Sequence, residues 1–254
     1  MKFKIIVNLV VFLTLIFLSS CSSTRTVPSS QAYKQNTRIT SFSKSKKLLL
    51  KLYKAHPVTL YCGCSFKGKK TDLSSCGYIP KKDKKRANRI EWEHVVPAHA
   101  FGQSFSEWRN GHPKCVSKKG KKYKGRRCAE KVNQDYMRMQ ADMYNLYPAI
   151  GEVNGRRSNY SMAIIVGEER EFGGCDVEIK NQQIEPRESI RGEIARTYMY
   201  MDSAYPSRGI ISKKNRKLFE AWNEIDPVDK WECDRAKRIE ILQGNSNPVV
   251  LENC

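Results

Sequence analysis

The stretch Glu91-Trp92-Glu93-His94-Val95-Val96-Pro97 places a carboxylate directly beside a histidine in a segment with the pattern of a β-strand. Its side chains alternate with the period of two that extended backbone imposes. Glu93 and His94 therefore project to opposite faces of a flat strand, so a site that uses both needs a twisted or bulged ribbon before Pro97. The stretch predicts a half-buried strand whose end carries candidate catalytic groups.

Positive charge dominates the composition. Lysine and arginine number 46 against 26 acidic residues, a formal net charge of +20. Such an excess favours polyanions through phosphate neutralisation and counterion release, and anionic lipid surfaces through the same Coulomb attraction. The alternative is a soluble basic protein without a polyanionic partner. A chain of 254 residues suffices for one domain of ordinary core size, or at most two small ones.

Residues 1–20 have the features of an export signal. Lys2 and Lys4 precede an apolar run that is shorter than the ~20 residues needed to span a bilayer. The sequence Leu18-Ser19-Ser20-Cys21 resembles the bacterial lipobox, which implies cleavage before Cys21 and lipidation of that cysteine. We expect an exported protein, periplasmic or anchored to the cell envelope, at the outer membrane if the cell is Gram-negative. A plainly cleaved, secreted form is the alternative.

The rest of the chain divides into two parts. Residues 21–38 are rich in Ser, Thr, Gln and Asn, which predicts a flexible tether, and residues 39–254 are predicted to form one domain. Apolar spacing predicts a first helix that ends before Pro57, and a second that Asn133 caps and that continues towards Pro148 with Asn145 on it. Further elements are predicted as a strand at 58–61, a turn at 151–155 and helices at 186–201, 212–225 and 235–242.

Apart from Cys21, the chain has eight cysteines, an even set of the kind that forms disulfides in exported proteins. Zinc is the competing interpretation, but Cys-x-x-Cys pairs are absent and Cys62-Gly63-Cys64 is too tight for a structural zinc site. We therefore expect four disulfides. Their pairing does not follow from the sequence, except that a bridge between Cys115 and Cys128, across a very basic loop, is the one pair we predict.

Phosphodiester hydrolysis needs an activated water, a cation at the departing oxygen and positive groups that hold the phosphate in line. A neutral imidazole at His94 can take a proton near neutral pH. Glu93 and the side-chain amide of Asn145 are hard oxygen ligands that suit Mg²⁺. A histidine beside a glutamate is more often structural than catalytic, so this pattern alone does not identify a site. His99 and His112 are expected at the solvated surface.

The segment from Glu91 to Gly102 closely resembles the signature of bacterial endonuclease I, a family of periplasmic and secreted DNA and RNA nucleases. The resemblance covers about residues 41–254 in family order, and includes Tyr61-Cys62-Gly63-Cys64, Asn145-Leu146, Gly151-Glu152-Val153-Asn154-Gly155 and Trp231-Glu232-Cys233. It implies an α+β fold, with a ββα-metal (His-Me finger) core embedded in a mostly helical, disulfide-linked single domain. It also implies four disulfides.

The resemblance further implies roles for individual residues. His94 is expected to be the general base, while Glu93 and Asn145, the latter on the helix of the ββα core, bind one Mg²⁺ ion, for which Ca²⁺ or Mn²⁺ are possible substitutes. An arginine near the second cysteine of the basic loop is expected to neutralise the phosphate. Because this loop carries more lysines than the family pattern, Arg126 and Arg127 both remain candidates.

The predicted function is that of a metal-dependent, sequence-nonspecific endonuclease that hydrolyses DNA, and RNA as well, to products with 5′-phosphates. We expect a monomer without an obligate protein partner. Its lysine runs are expected to contact phosphates, so that affinity falls steeply with salt, and its lipidated Cys21 is expected to contact a membrane. The alternatives are a catalytically silent, lipid-anchored nucleic-acid-binding protein and, more remotely, a structural lipoprotein of the cell envelope.

Overall fold

The computed structural model describes residues 34–167 and 169–254. The helices of this part of the chain are α1 (Phe42–Leu52), α2 (Lys84–Ala87), α3 (Ala98–Gly102), α4 (Ser106–Arg109), α5 (Arg126–Val132), α6 (Gln134–Gln140), α7 (Gly151–Arg157), α8 (Arg191–Ala204), α9 (Lys213–Ile225), α10 (Lys230–Gln243) and α11 (Pro248–Leu251). Its strands are β1 (Phe66–Lys67), β2 (Lys70–Thr71), β3 (Ile90–His94), β4 (Leu146–Ile150), β5 (Ser161–Met162), β6 (Val177–Lys180) and β7 (Gln183–Pro186). This mixture confirms the predicted α+β class.

The strands form three small sheets. β1 pairs with β2, β3 pairs with β4, and β5, β7 and β6 lie side by side in that order. In the central antiparallel pair, the first residue of β3 faces the last residue of β4, and His94 faces Leu146. Every side chain of β4 is buried, so a slip of one residue would turn buried side chains outward, and the register is therefore strongly determined.

The helix boundaries follow local capping signals at several places. Ser41 caps α1 and Ser212 caps α9, each by accepting a hydrogen bond from a backbone N–H three residues later. α10 ends at Gly244, which adopts the left-handed conformation with a φ of 83°. These helices confirm the predictions made from apolar spacing for the first helix and for the existence of three helices in the last third of the chain. The start predicted at residue 186 is wrong, because β7 and a 3-10 turn precede α8, and α10 begins at Lys230 rather than at residue 235. No helix of the described residues is long and apolar enough to cross a membrane.

The predicted helix after Asn133 is wrong in its second half. Asn133 does cap α6, but this helix ends at Gln140. The buried Asp142 then accepts a hydrogen bond from the backbone N–H of Tyr144, which begins a short 3-10 turn that leads into β4. Asp142 also accepts the hydroxyl hydrogens of Tyr200 and Tyr205, and these tertiary contacts outweigh the helical spacing.

Two other local predictions are wrong. The segment 58–61 contains no strand, and only an isolated bridge joins Val58 to Ser65. The segment 151–155, predicted to be a turn because of its two glycines, belongs to α7. The buried carboxylate of Glu152 stabilises the first turn of α7 against another segment, because it accepts hydrogen bonds from the backbone N–H groups of Lys81 and Asp83.

The folded body begins earlier than predicted. Asn36 is buried, and its side-chain amide donates to the backbone carbonyls of Ile39 and Arg138. Asn245 donates to the carbonyl of Lys34. Residues 34–38 are therefore packed against the body. The predicted tether of residues 21–38 thus extends too far, because its last five residues belong to the body. The predicted signal peptide and the lipobox at Cys21 lie outside the described residues.

All eight cysteines between residue 62 and the C-terminus form disulfides. The pairs are Cys62–Cys175, Cys64–Cys76, Cys115–Cys128 and Cys233–Cys254. The number of bridges and the pair across the basic loop were both predicted correctly. Because the sulfurs of these eight cysteines are in disulfides, none of them is free to bind zinc.

Candidate active site

The strand pair and α7 form the ββα unit that the resemblance implies. α7 begins at the residue directly after β4 and packs against β3 as well as β4. β3 carries Glu93 and His94 at its end, and α7 carries Asn154 at its centre. The fold therefore brings side chains that lie 60 residues apart in the sequence to one place.

A pocket of about 510 Å³ opens where these elements meet. Its lining includes the polar side chains of Glu93, His94, Arg126 and Asn154. Glu93 and His94 both line it although neighbouring strand residues point apart, because β3 ends at His94 and the chain bends directly afterwards. His99 is exposed, as expected, but it lies at the rim of this pocket.

Glu93 is a buried carboxylate that is only half used by the protein. Its Oε1 atom accepts a hydrogen bond of 2.8 Å from the Tyr61 hydroxyl and one of 2.7 Å from Nη1 of Arg157. Every hydrogen bond from the described residues falls on this oxygen, so Oε2 is left for another ligand. Burial raises the pKa of Glu93 above its ordinary value, although the Arg157 charge and the two hydrogen bonds oppose the rise.

Arg157 fixes the end of β3 through hydrogen bonds. Its guanidinium is 1% exposed and donates to Glu93, to the backbone carbonyls of His94 and Val95, and to the hydroxyl of Tyr198. Burial lowers the pKa of Arg157, but the neighbouring Tyr61 and Glu93 raise it overall, so the group stays charged. Sequence reasoning missed this residue, which sets the position of both candidate groups on β3.

His94 is held in one tautomer. Its Nε2 atom lies 2.8 Å from the backbone carbonyl of Gln140, and a carbonyl only accepts, so Nε2 carries the hydrogen and Nδ1 is free to accept a proton. Burial and the positive charge of Arg126 lower the pKa of His94 to about 3, although the Gln140 hydrogen bond opposes them. The imidazole is therefore neutral near neutral pH.

Arg126 lines the pocket and Arg127 does not. Nη2 of Arg126 donates to the side-chain oxygen of Gln140 over 3.3 Å, so one glutamine contacts both the histidine and the arginine. The next residue points elsewhere, and the Arg127 guanidinium lies 5.0 Å from the ring centroid of Tyr123. The structure thus separates two candidates that the sequence left equal.

The structure does not bring Asn145 to the pocket, which corrects the expected ligand set. Asn145 is completely buried at the end of the 3-10 turn before β4. Its amide oxygen accepts from the backbone N–H of Val96 over 2.7 Å, and its amide nitrogen donates to the carbonyl of Val96 over 3.0 Å. Both ends of this amide are used to hold the bend after β3, so none is left for a metal.

Asn154, which the sequence indicated as a support of the metal site rather than as a ligand, has an unused oxygen at the pocket. Its Nδ2 atom donates to Glu91 over 3.3 Å, whereas its Oδ1 atom accepts no hydrogen bond from the described residues. Glu91 is itself fixed by Arg86 and Arg89. The available signal was the glycine that follows: a Cβ atom at Gly155 would collide with the Arg86 guanidinium, so the glycine indicates close packing at this point of α7.

The hard oxygen donors of the pocket fit a divalent cation such as Mg²⁺. One carboxylate oxygen and one amide oxygen are left unused, and Mg²⁺ commonly binds one or two protein oxygens while it keeps waters and phosphate oxygens as further ligands. The arrangement also supplies a neutral base and a fixed guanidinium. These groups together suit the activation of a water against a phosphorus atom.

Comparison with known proteins agrees with this geometry. The sequence model of the family "Endonuclease I" matches residues 17–254. An extracellular deoxyribonuclease of Aeromonas hydrophila is 44% identical over 223 residues, which cover 85% of this chain and 90% of the relative. A periplasmic deoxyribonuclease of the same species is 44% identical over 221 residues, covering 84% and 86%. Endonuclease-1 of Buchnera aphidicola (subsp. Acyrthosiphon pisum) is 42% identical over 230 residues, covering 88% and 86%.

A family match over nearly the whole chain and relatives of this similarity leave one assignment. The chain belongs to the endonuclease I family.

Proposed function

We propose that this protein is a metal-dependent endonuclease that hydrolyses DNA, and RNA as well, without sequence preference, to products with 5′-phosphates. The observation that carries the proposal is the pocket in which a neutral His94, a half-used Glu93, a half-used Asn154 and Arg126 converge. The relatives named as deoxyribonucleases support DNA as a substrate. Action on RNA follows if only backbone phosphates are contacted.

Glu93 and Asn154 would hold the divalent ion, through Oε2 and Oδ1 respectively, and Asn154 takes the place first expected for Asn145. Magnesium is the proposed cofactor, with calcium or manganese as substitutes. When bound, such a cation supplies positive charge next to the leaving 3′ oxygen. Arg157 and Glu91 act behind the two ligands, since each fixes the other end of a ligand side chain.

His94 accepts the proton of the attacking water at Nδ1. The bond from Nε2 to the Gln140 carbonyl keeps the ring oriented and stabilises the imidazolium when it forms. A bound phosphate neutralises part of the Arg126 charge, which is one of the causes that lower the pKa of His94, so substrate binding strengthens the base.

Arg126 binds the phosphate that is attacked. Its side chain reaches the pocket beside His94, and its contact with Gln140 limits the orientations that it can adopt. A guanidinium in this position stabilises the extra negative charge of the pentacovalent phosphorus. Arg127, by contrast, has no proposed part in the chemistry.

Nicking of supercoiled plasmid tests the proposal. We expect cleavage in Mg²⁺ and none in EDTA, and a loss of roughly 10²- to 10⁴-fold in His94→Ala, the range for removal of a general base. His112→Ala, at an exposed loop histidine outside the pocket, is the matched control and should cleave like the wild type. Cleavage that persists unchanged in EDTA or in His94→Ala would refute the proposed mechanism.

We further propose export and anchoring at Cys21. Four disulfides require an oxidising compartment, and the names of relatives include extracellular and periplasmic proteins. A lipid on Cys21 would place the enzyme at the cell envelope. We expect the enzyme to be a monomer. Mass spectrometry of the mature N-terminus distinguishes a lipidated cysteine from a plainly cleaved, secreted chain.

A further inference from the structure

The basic loop is a fixed hairpin rather than a mobile run of lysines. The disulfide between Cys115 and Cys128 closes its base, and we call the enclosed segment the basic hairpin. Its two arms pair through the backbone, because Ser117 N donates to Lys121 O and Tyr123 N donates to Cys115 O. The hairpin therefore presents its side chains from a preorganised backbone.

The charges of the basic hairpin are unpaired. Its lysines are all exposed, and none forms an ion pair with any residue in the described part of the chain; they are Lys118, Lys119, Lys121, Lys122 and Lys124. The next acidic residue along the chain, Glu130, accepts a hydrogen bond from Gln140 instead. Such a concentration of uncompensated charge attracts a polyanion.

The basic hairpin is joined directly to one wall of the catalytic pocket. Gly125 N donates to the backbone carbonyl of Trp108 over 2.9 Å, and Trp108 lines the pocket. Arg126, the residue after Gly125, lines the same wall. The hairpin lysines therefore directly precede, in the chain, the pocket residue Arg126.

A second cavity adjoins the pocket through a different wall. It has a volume of about 470 Å³, and we call it the side groove. It shares Phe42, Trp92 and Asn154 with the catalytic pocket, and its further lining includes three lysines, Lys46, Lys47 and Lys69.

The side groove combines aromatic faces with free cations. The Lys46 ammonium lies 4.5 Å from the ring centroid of Phe42, and Lys47 and Lys69 are exposed. Within the described residues none of the three forms an ion pair, whereas Arg89 and Glu91 in the same groove neutralise each other. Aromatic rings that stack on bases and lysines that contact phosphates are the two components of single-strand binding sites.

We propose that the substrate strand lies along a track with two arms: the basic hairpin binds phosphates on one side of the scissile bond, and the side groove binds a nucleotide on the other. This inference rests on the proposed function and adds where the flanking substrate lies. Only a long polymer with regularly spaced charge contacts both arms, because they adjoin different walls of one pocket. A single phosphate or a small anion fits one arm at most.

Three triple variants with the same change in charge test the track. Lys118→Gln/Lys119→Gln/Lys121→Gln changes the hairpin, and Lys46→Gln/Lys47→Gln/Lys69→Gln changes the groove. Lys213→Gln/Lys214→Gln/Lys217→Gln, on exposed positions of α9, is the control.

Binding is measured first, by fluorescence anisotropy of a 30-nucleotide single strand and a 30-base-pair duplex in EDTA over a range of salt. Each lost phosphate contact lowers the salt slope by about 0.7 for a single strand or 0.9 for a duplex. We expect the hairpin and groove variants each to lower the slope by about 1 to 2 and the affinity by about 10-fold or more, with no comparable change in the control. An equal loss in the control would mean that net charge alone binds DNA and would overturn the track.

Cleavage then tests the two sides of the track. The substrates carry one cleavable phosphodiester and are extended on its 5′ side only or on its 3′ side only. We expect each variant to lose the kcat/KM gained from one extension while it keeps the gain from the other, with kcat on the minimal substrate within about twofold of the wild type. If both variants respond to the same extension, or if the minimal substrate suffers equally, the two-arm track is wrong.

The binding measurement needs no hydrolysis, so the two proposals can fail separately. An intact pattern of binding without any Mg²⁺-dependent cleavage would refute the proposed endonuclease and leave the track standing. Cleavage that depends on His94, with no selective loss of binding in the hairpin or groove variant, would refute the track and leave the proposed endonuclease standing.

Discussion

Two buried arginine–glutamate pairs in this molecule differ in how completely the carboxylate is used. Between α8 and α10, both carboxylate oxygens of Glu232 accept hydrogen bonds from Arg196. Nη2 of Arg196 donates to Oε1 of Glu232, and Nε of Arg196 donates to Oε2. Beside the pocket, Arg157 and Tyr61 both donate to one oxygen of Glu93. Both guanidinium groups are 1% exposed, so burial does not explain the difference.

The comparison separates a carboxylate that is bound at both oxygens from one that keeps an oxygen for the pocket that it lines. A saturated carboxylate joins helices, as Glu232 does between α8 and α10. A half-used carboxylate that borders a pocket is costly unless a further ligand binds. The same difference separates Asn145, whose amide is used at both ends, from Asn154, whose oxygen is free among the described residues.

Glu93→Gln should have the largest effect of the variants that test this comparison. We expect a loss of plasmid cleavage of roughly 10³- to 10⁴-fold, because the site loses its charged oxygen ligand, which is worth several kcal/mol. Calorimetric titration with Mg²⁺ should show that the binding heat disappears. Circular dichroism at the assay temperature is the control for folding. A folded variant that binds Mg²⁺ like the wild type would contradict the proposed role.

Glu232→Gln should lower stability, as Glu93→Gln also does through Arg157, but it should leave cleavage intact. It leaves the charge of Arg196 buried without its partner, which typically costs about 3 kcal/mol or more of the free energy of unfolding. Cleavage at a temperature where the variant remains folded should match that of the wild type, because Arg196 and Glu232 do not line the pocket. Denaturant titration gives the free energy of unfolding. A variant with full stability and reduced kcat would reverse the roles assigned to the two pairs.

The two asparagines allow a matched pair of alanine variants. Asn154→Ala should lower cleavage by about 10- to 100-fold and weaken Mg²⁺ binding, with an unfolding transition near that of the wild type. Asn145→Ala should lower the free energy of unfolding by about 1–3 kcal/mol, because the backbone N–H and C=O of Val96 lose their partners. Mg²⁺ titration and thermal unfolding of both proteins check this. If the two phenotypes exchange, the original assignment of Asn145 is right.

The last prediction concerns pH, and its effect is absent above pH 7. The folded-state pKa of His94 is lowered from 6.5 to about 3, so below pH 6.5 the unfolded chain binds a proton that the folded protein does not. Stability relative to His94→Gln should therefore fall as the pH decreases from 6.5 towards 3, with a limiting slope of about 1.4 kcal/mol per pH unit, and stay constant above pH 7. Denaturant titrations in EDTA measure the difference between the two proteins, and parallel curves would indicate a solvated imidazole.

The sequence predicts those parts of the fold that local pattern determines. Alternation located β3, apolar spacing located α1 and α9, and the count of cysteines predicted the bridges. α7 was missed because its two glycines indicate a turn. Its first turn is stabilised from outside, by the backbone N–H groups of residues 81–83 on Glu152, and no local pattern reports such a contact.

The site shows the same division. Glu93 and His94 are adjacent in a conspicuous motif, whereas Arg157 acts on them from 64 residues away in a segment of ordinary basic composition. Arg126 and Arg127 are equivalent in sequence, and only the start of α5 decides which one faces the pocket, since neighbouring helical residues point about 100° apart. Contacts between residues so far apart in the sequence, such as Arg157 and Glu93, arise only in the tertiary fold.

The pocket takes side chains from α1, β3, α5 and α7, and Arg157, which braces it, is the last residue of α7. No fragment that stops short of that arginine contains a complete site, and Tyr198, which contacts the arginine, comes later still. A nascent chain emerging from the ribosome is thus catalytically incomplete through more than half of its synthesis. A product that terminates before Arg157 is therefore expected to be inactive in the cell that makes it.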